Sequence, residues 1–591
     1  MTSIGHRLLA LREVLRGLGV DGFLVPRSDE HLGEYVPANA ERLAWLTGFT
    51  GSAGLAIVLP DRAAVFTDGR YTTQLPQETD GALWEPRHIT DAPPSAWLNE
   101  QKIPLRVGYD PMLISEDAID RLAKDAPRIA LVPLAANPVD AVWHDRPLAP
   151  CGAVTQHPLE FAGRSAAEKR ADIAGMLRGS AEDAVVITDP ASLCWLLNIR
   201  GADVPFAPLA LGFLILAQDG TAELFMAPEK IGPAVLAHLG AEVVLRPPSA
   251  LPEALDALSG KRVRVDRGNS PIWFAQRLRA AGAEVVAGAD PCAMPKARKN
   301  AAEQAGARAA QTRDAIALCR FLHWLAVNAA KGTETELSAA AALRGFRAEL
   351  PEFRDESFPA ISGAGEHGAV IHYRVSAASD RRLAPDEVYL TDSGAQYPDG
   401  TTDVTRTIWT GPGTPPEPLR ERFTLVLQGH IALATLVFPV GIAGAHIDAM
   451  ARRALWAEGL DYDHGTGHGI GSYLSVHEGP VSISRSSRDL AIAEGMILSD
   501  EPGYYLPGAY GIRLENLLLV QQADLPAALK PFLRFETLTL APFDRTLIDI
   551  GLLTPAERDW LDLYHARVLA EVGPLLPPAV AGWLAEVCKH L

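Results

Sequence analysis

Two acidic pairs and a glycine-lined histidine loop dominate the second half of the chain. In the segment from Val388 to Trp409, two runs of β-branched and aromatic residues flank Pro398-Asp399-Gly400-Thr401, which is turn chemistry. The spacing predicts a hairpin. A turn centred between Asp399 and Gly400 sets Asp392 opposite Thr407. A turn centred one residue earlier sets Asp392 opposite Thr405, with Asp403 its diagonal neighbour on the same sheet face. Diagonal neighbours lie roughly 7–8 Å apart or less, so both carboxylates can reach one cation. The pattern recurs in Asp500-Glu501 and Glu515, which flank Leu506-Pro507-Gly508-Ala509 and precede the apolar run Leu517 to Val520. A centre between Pro507 and Gly508 sets Glu501 opposite Leu514 and beside Glu515. A slip of one residue in either hairpin would turn a whole set to the other face.

Four carboxylates converging in a core cannot all stay ionised without cations, because burying unpaired charge is too costly. One such hairpin reads first as surface acids beside a turn. Two of one design, with histidines between them, read as a metal site. The intervening loop is Asp463-His464-Gly465-Thr466-Gly467-His468-Gly469-Ile470-Gly471, followed by His477-Glu478. Its alternating glycines let the backbone approach other groups closely. Four carboxylates and an imidazole form a mostly hard-oxygen donor set. That favours Mn²⁺, with Co²⁺ or Zn²⁺ as alternatives, over a thiolate-type zinc site. Gly363-Ala364-Gly365-Glu366-His367-Gly368 imitates a dinucleotide fingerprint, but a strand from Ala369 to Tyr373 is expected after it in place of a helix. The glycine run at 465–471 lacks the Lys-Ser/Thr of a phosphate loop, and no G-x-S-x-G elbow occurs.

The elements that must position these residues sit in a chain of 591 residues, 48% hydrophobic and 21% charged. Such a length suggests about three to five domains or one unusually large one. The first part opens with an amphipathic helix near Ser3 to Gly17 and a strand at Gly22 to Pro26, with further strands near Ala56 to Leu59 and Ala63 to Thr67. The pattern restarts at Ala184 to Thr188, and Leu193-Cys-Trp195-Leu repeats the spacing of Leu43-Ala-Trp45-Leu. We read two α/β domains of one design. A Pro- and Gly-rich linker is expected at Asp145 to Gly163, and a second joint near Asp290 to Lys299 before a helix at about Asn300 to Ala330.

Net charge is −18, which suits neither nucleic acid nor an anionic membrane as a partner. Five scattered cysteines without a C-x-x-C pair argue against a disulfide framework and fit a reducing compartment. Met1 to Arg16 lacks a continuous apolar core, so it does not read as a signal peptide, and no run is long enough to span a bilayer. A cytoplasmic protein is expected.

At Phe358-Pro…His372-Tyr373, Asp392-Ser-Gly-Ala-Gln-Tyr…Asp403-Val-Thr-Arg-Thr, His464-Gly-Thr-Gly-His-Gly-Ile-Gly471, Val476-His-Glu-Gly-Pro480, Asp500-Glu-Pro-Gly-Tyr504 and Gly511-Ile-Arg-Leu-Glu515, the sequence resembles the pita-bread metallopeptidases. Within them it is similar to the three-domain cytosolic aminopeptidase P (Xaa-Pro aminopeptidase) group. The likeness extends upstream to Thr50-Gly-Ser-Ala-Gly54 and Thr67-Asp-Gly-Arg70-Tyr71. It implies an α/β (α+β) fold: two related creatinase-like α/β domains, residues 1–154 and 155–297, then a pita-bread catalytic domain with a C-terminal extension, residues 298–591. Asp392 would bind one of two divalent ions and His468 the other, Asp403 and Glu515 would bridge them, and Glu501 would complete the second site. His372, His464, His477 and Arg513 match positions that surround the metals and touch substrate.

The implied reaction is release of the N-terminal residue from peptides with proline second, by attack of a metal-bridging hydroxide. His477 and His372 would stabilise the oxyanion, and Glu501 would carry the proton to the leaving prolyl nitrogen. Arg70 reads as a rim contact or a structural salt bridge. A prolidase, a creatinase-like amidinohydrolase and a non-catalytic peptide-binding module remain as alternatives. A homodimer, with the apolar region Ile550 to Leu591 supporting it, is expected by analogy.

Overall fold

The computed structural model describes residues 3–101, 103–487 and 490–591. Met1 and Thr2, the start of the segment read against a leader, lie outside these. The chain forms two compact units, Met1–Leu159 with Arg164–Ala293, and Glu160–Gly163 with Met294–Leu591.

The first unit holds two six-stranded sheets of one topology. In sheet order the first runs Glu85–His88, Ala63–Thr67, Leu55–Val58, Gly22–Pro26, Leu105–Tyr109, Ile129–Pro133. The second runs Val243–Arg246, Ala222–Phe225, Phe213–Ala217, Ala184–Ile187, Arg262–Val265, Glu284–Ala287. Each founding strand, Gly22–Pro26 or Ala184–Ile187, has an antiparallel neighbour on one side and a parallel one on the other. Trp45 and Trp195 sit in equivalent short helices, Arg42–Thr47 and Pro190–Leu197. Each helix stops on a left-handed residue, Gly48 or Asn198, as helix ends commonly do. The repeat seen in the sequence is therefore a repeat of topology. Arg70 grips Asp68 with two nitrogens, at 2.9 and 2.7 Å, and stands 3.8 Å from Glu34. That is the salt-bridge arrangement. The expected linker is partly structured, since Thr155–Gln156 pairs with Ile199–Arg200.

The long helix of the second unit, Ala301–Asn328, is closed at its start by a reciprocal cap between Asn300 and Glu303. A three-stranded sheet joins Ile361–Ala364, Val388–Ser393 and Val404–Trp409. A six-stranded sheet runs Val437–Pro439, Phe532–Thr537, Asn516–Ala523, Ile497–Asp500, Gly467–Gly469, Glu478–Ile483. Helices Glu417–Ala434 and Gly444–Ala457 bring Phe423, Leu427, Leu433 and Ala451 into the cores beneath them. The strand expected at Ala369 to Tyr373 is absent. Gly365–Ala369 is a 3₁₀ turn, entered at Gly365 with φ +52°. Buried Glu336 holds it, accepting from the Ala364 amide and the Tyr373 hydroxyl and meeting His367 Nδ1 at 2.9 Å.

Arg406 fixes the two site-bearing sheets to each other. Fully buried, it donates to the carbonyls of Thr405, Glu515, Ala541 and Pro542, to Asn516 Oδ1 and to the Tyr564 hydroxyl. Arg406→Met strands these acceptors in the core. At roughly 1–3 kcal/mol for each unsatisfied group, partly offset by relaxation, we expect a loss of at least about 4 kcal/mol. A thermal melt checks this: the midpoint should fall by roughly 10 °C, and an unchanged midpoint would refute the role.

Candidate metal centre

Both acidic hairpins are broken ladders, with Asp392 one pair short of its break and Asp403, Glu501 and Glu515 in the gaps. In the first, Asp392 lies opposite Thr405 within Val388–Ser393 and Val404–Trp409, and pairing resumes at Gln396–Thr401 and Tyr397–Gly400 around a turn at Pro398-Asp399. The structure takes the earlier of the two turn centres. Asp403 falls in the gap between the pieces. Asp314 pins that gap from the long helix, accepting from Arg347 at 2.8 and 2.9 Å, from Tyr397 at 3.0 Å and from Thr402 at 3.0 Å.

In the second hairpin, Ile497–Asp500 pairs with Asn516–Ala523, and Gly503–Leu506 pairs with Tyr510–Arg513. The turn is longer by one residue than the spacing suggested. Pro507, Gly508 and Ala509 form it, with Gly508 at φ +72°. The register therefore shifts by one, and Glu501 falls directly opposite Glu515 in place of Leu514. Both glutamates occupy the gap between the two paired stretches.

His468 arrives on Gly467–Gly469, which pairs with Glu478–Ile483 and Ile497–Asp500. A Cβ on Gly467 would stand 2.0 Å from the Ser499 carbonyl oxygen, and one on Gly469 would stand 2.2 Å from that of Glu478. Only glycine allows this approach, and the approach sets His468 against the acids. Its Nε2 is 3.5 Å from both Asp403 Oδ2 and Glu501 Oε1. Asp403, His468 and Glu515 each offer an atom within 4.8 Å of the others.

The donors fit divalent cations. Asp392 Oδ1 and Glu515 Oε1 are buried and accept no hydrogen bond among the described residues. Buried carboxylate oxygens are rarely left so, unless an ion belongs there. Their other oxygens are anchored, Asp392 Oδ2 by Arg513 Nη2 at 2.7 Å and Glu515 Oε2 by the Thr405 hydroxyl at 2.8 Å. One oxygen is thus oriented and the other left to coordinate.

Electrostatics point the same way. Burial raises the Asp392 carboxyl to about 6 against the pull of Arg513, with Asp403 and Glu501 adding to the rise. Burial and neighbouring carboxylates raise Glu515 well above the ordinary range, and burial raises Glu501 against the pull of His468 and Arg513. Burial lowers the His468 imidazolium, but contact with Asp403 and the charge of Glu501 outweigh it and hold its proton up to about 9. Without cations, then, the cluster gathers protons. His468 and Glu501 retain 20% and 18% side-chain exposure, so the cluster opens to solvent on their side.

The surrounding histidines take separate places. His477 stacks edge-on against His468, ring centres 4.3 Å apart. His464 accepts at Nε2 from the Tyr505 hydroxyl at 2.8 Å, its Nδ1 facing the Gly465 carbonyl. Tyr505 in turn accepts from Arg513 Nη1 at 2.7 Å, which completes a chain from Asp392 through Arg513 and Tyr505 to His464. Tyr505 was not singled out from the sequence. In the true register it pairs with Gly511, so it is diagonal to Arg513 on one face. His372 is half-buried in the turn that follows the 3₁₀ segment Gly365–Ala369. That segment lies against the second hairpin, where a Cβ on Gly511 would stand 1.7 Å from the Gly368 carbonyl oxygen.

Comparison with known proteins places this geometry. Metallopeptidase family M24 matches residues 305–522, and the C-terminal region of that peptidase matches 531–591. Creatinase/prolidase N-terminal domains match 7–142 and 145–303. A probable Xaa-Pro aminopeptidase P of Neosartorya fischeri is 41% identical, covering 95% of this chain and 89% of that protein. Aminopeptidase P1 of Lotus japonicus is 37% identical over 99% of both. The crystal structure of X-prolyl aminopeptidase from Caenorhabditis elegans, described as a cytosolic enzyme with a di-nuclear active site, is 33% identical with a TM-score of 0.94 over 100% of both chains. With a 41% identical relative along nearly its whole length, the chain belongs to metallopeptidase family M24.

Proposed function

We propose that this chain is a metal-dependent Xaa-Pro aminopeptidase, which removes the first residue from peptides carrying proline second. The observation that carries the reading is the full-length likeness to an X-prolyl aminopeptidase with a di-nuclear site, in a chain where Asp392 and Glu515 each leave one buried oxygen with no hydrogen bond among the described residues. We assign Asp392, Asp403, His468, Glu501 and Glu515 to two divalent ions, with Asp403 and Glu515 shared, and Mn²⁺ as the preferred metal. When bound, such ions polarise a carbonyl and supply a nucleophile at neutral pH.

The chain's own groups do the rest. Arg513 keeps Asp392 ionised and oriented, and Tyr505 keeps Arg513 in place. His477, beside His468, is placed to donate to the carbonyl oxygen as charge develops on it, with His372 as a second donor. Glu501 opens to solvent and faces His468, so it can carry a proton to the leaving prolyl nitrogen. That nitrogen is tertiary before cleavage and offers no N–H, so recognition must rest on the ring. His464 is assigned to substrate contact with Arg513.

We further propose three domains, 1–154, 155–297 and 298–591, a cytoplasmic setting and a homodimer. Among the described residues no helix is long and apolar enough to cross a membrane. Exposed Leu563 and Leu575 in the C-terminal region support the dimer.

Hydrolysis of Arg-Pro-Pro, Arg-Pro and Arg-Ala-Pro with added Mn²⁺ tests the activity. Release of arginine from Arg-Pro-Pro, with Arg-Ala-Pro left intact, is expected. Cleavage of Arg-Pro alone would assign a prolidase, and cleavage of none would favour a binding module.

A further inference from the structure

His477 is not placed by regular sheet pairing. The ladder beside it pairs Gly467 with Ile483 and His468 with Ser482, then jumps to Gly469 with Glu478. Gly479, Pro480 and Val481 are looped out between. Ladder pairing is therefore interrupted at the start of that strand, directly after His477. An ion cluster in the core meets the chain at this point. Glu478 meets Lys299 Nζ at 2.5 Å, each side chain 1% exposed, and Lys296 Nζ lies 3.7 Å from its other oxygen. Lys299 is itself fixed. Its amide donates to the Gly495 carbonyl at 2.8 Å, and its carbonyl accepts from Gln304 at 2.7 Å. Gly495 leads into Ile497–Asp500, the strand that delivers Glu501.

A buried ion pair rarely repays its desolvation as net stability, and apolar pairs of similar volume often serve the fold as well. Its use here is geometric. We infer that Glu478 and Lys299 are positioning residues, a tie that fixes His477 over His468 and in register with the strand bearing Glu501. The inference rests on the proposed peptidase reading for its kinetic consequence and on geometry alone for the tie. His477 lies in the bend immediately before the strand Glu478–Ile483, so anchoring the Glu478 side chain in the core fixes the neighbouring backbone that carries the His477 ring.

The test compares wild type with Glu478→Gln, Lys299→Met and the double variant, all loaded with Mn²⁺. It reads kcat, KM, metal content, thermal midpoint and a crystal structure of the Glu478→Gln protein. Misplacing a reacting group by about 1 Å costs roughly 100-fold. Glu478→Gln should therefore lower kcat about 10- to 100-fold, with KM changed by less than about 3-fold and full metal content. Lys299→Met leaves an ill-compensated carboxylate and should lower the midpoint, and the double variant should recover the midpoint while kcat stays low. A purely structural pair would return kcat together with the midpoint, and that result overturns the inference. So does wild-type kcat in metal-replete Glu478→Gln. Should the wild type cleave nothing, the peptidase reading fails by itself, and the crystal structure still decides the tie. A His477 ring displaced from His468 sustains it, and a ring kept in place overturns it.

Discussion

Asp403→Asn is expected to lower kcat/KM on Xaa-Pro peptides by at least about 10³-fold with Mn²⁺ in excess, because Asp403, in the shared role proposed for it, would support both ions at once. The carboxylate is 3% exposed and sits in the gap of its hairpin, 3.5 Å from His468 and within 4.8 Å of a Glu515 oxygen. An amide there fills the same volume and leaves the Asp314 anchor on Thr402 intact. The fold should survive. What goes is a negative charge among donors whose raised affinity for protons shows that they want positive charge. Metal analysis after dialysis should find fewer than two ions per chain. A variant that keeps a tenth of wild-type activity would end the assignment of Asp403 as a shared ligand.

The second large effect is a coupling of metal, pH and stability. In the metal-free protein Asp392 holds its proton up to about 6, above the 3.8 of a free aspartate, and Glu515 and Glu501 are shifted the same way. A carboxyl with a raised folded pKa imposes no penalty while it is protonated in both states, and its penalty grows as pH passes from the unfolded to the folded value. His468, held up to about 9 against 6.5, contributes stability that is complete below the unfolded value and lost as pH rises through the folded one. Both signs agree: the metal-free chain loses stability from about pH 4 to 9. Asp392 alone, raised by about two units, accounts for roughly 3 kcal/mol. Cations replace those protons, so metal binding strengthens with pH. Melts of chelator-treated and Mn²⁺-loaded protein at pH 5.5, 6.5 and 7.5 should show a gap that widens by at least about 5 °C toward pH 7.5. A gap that is constant or narrows with pH would contradict the electrostatic account.

Much of this was legible because short-range chemistry carried it. Turn residues at Pro398-Asp399 and Pro507-Gly508 mark both hairpins, and alternating glycines around His468 announce close approach. Where reading failed, a single residue or a distant partner decided. The second hairpin slips by one because Gly508 takes φ +72° and lengthens the loop, and this turns Glu501 to face Glu515. The strand expected at Ala369 to Tyr373 gives way to the end of a 3₁₀ turn and an irregular stretch, where Glu336, far upstream, gathers the Ala364 amide and the Tyr373 hydroxyl. Tyr505 stayed hidden behind the same register error. The tie between Lys299 and Glu478 joins residues 179 apart, and no local pattern reports it. Arg406 carries no local sign of its role, because its acceptors come from four separate segments.

We assign Asp392, Asp403, His468, Glu501 and Glu515 to two ions. Anomalous diffraction at the manganese edge from Mn²⁺-loaded crystals tests this assignment directly. Two peaks are expected, one against Asp392 and one against His468 and Glu501, with Asp403 and Glu515 within reach of both. A single peak, or peaks away from these residues, would contradict it.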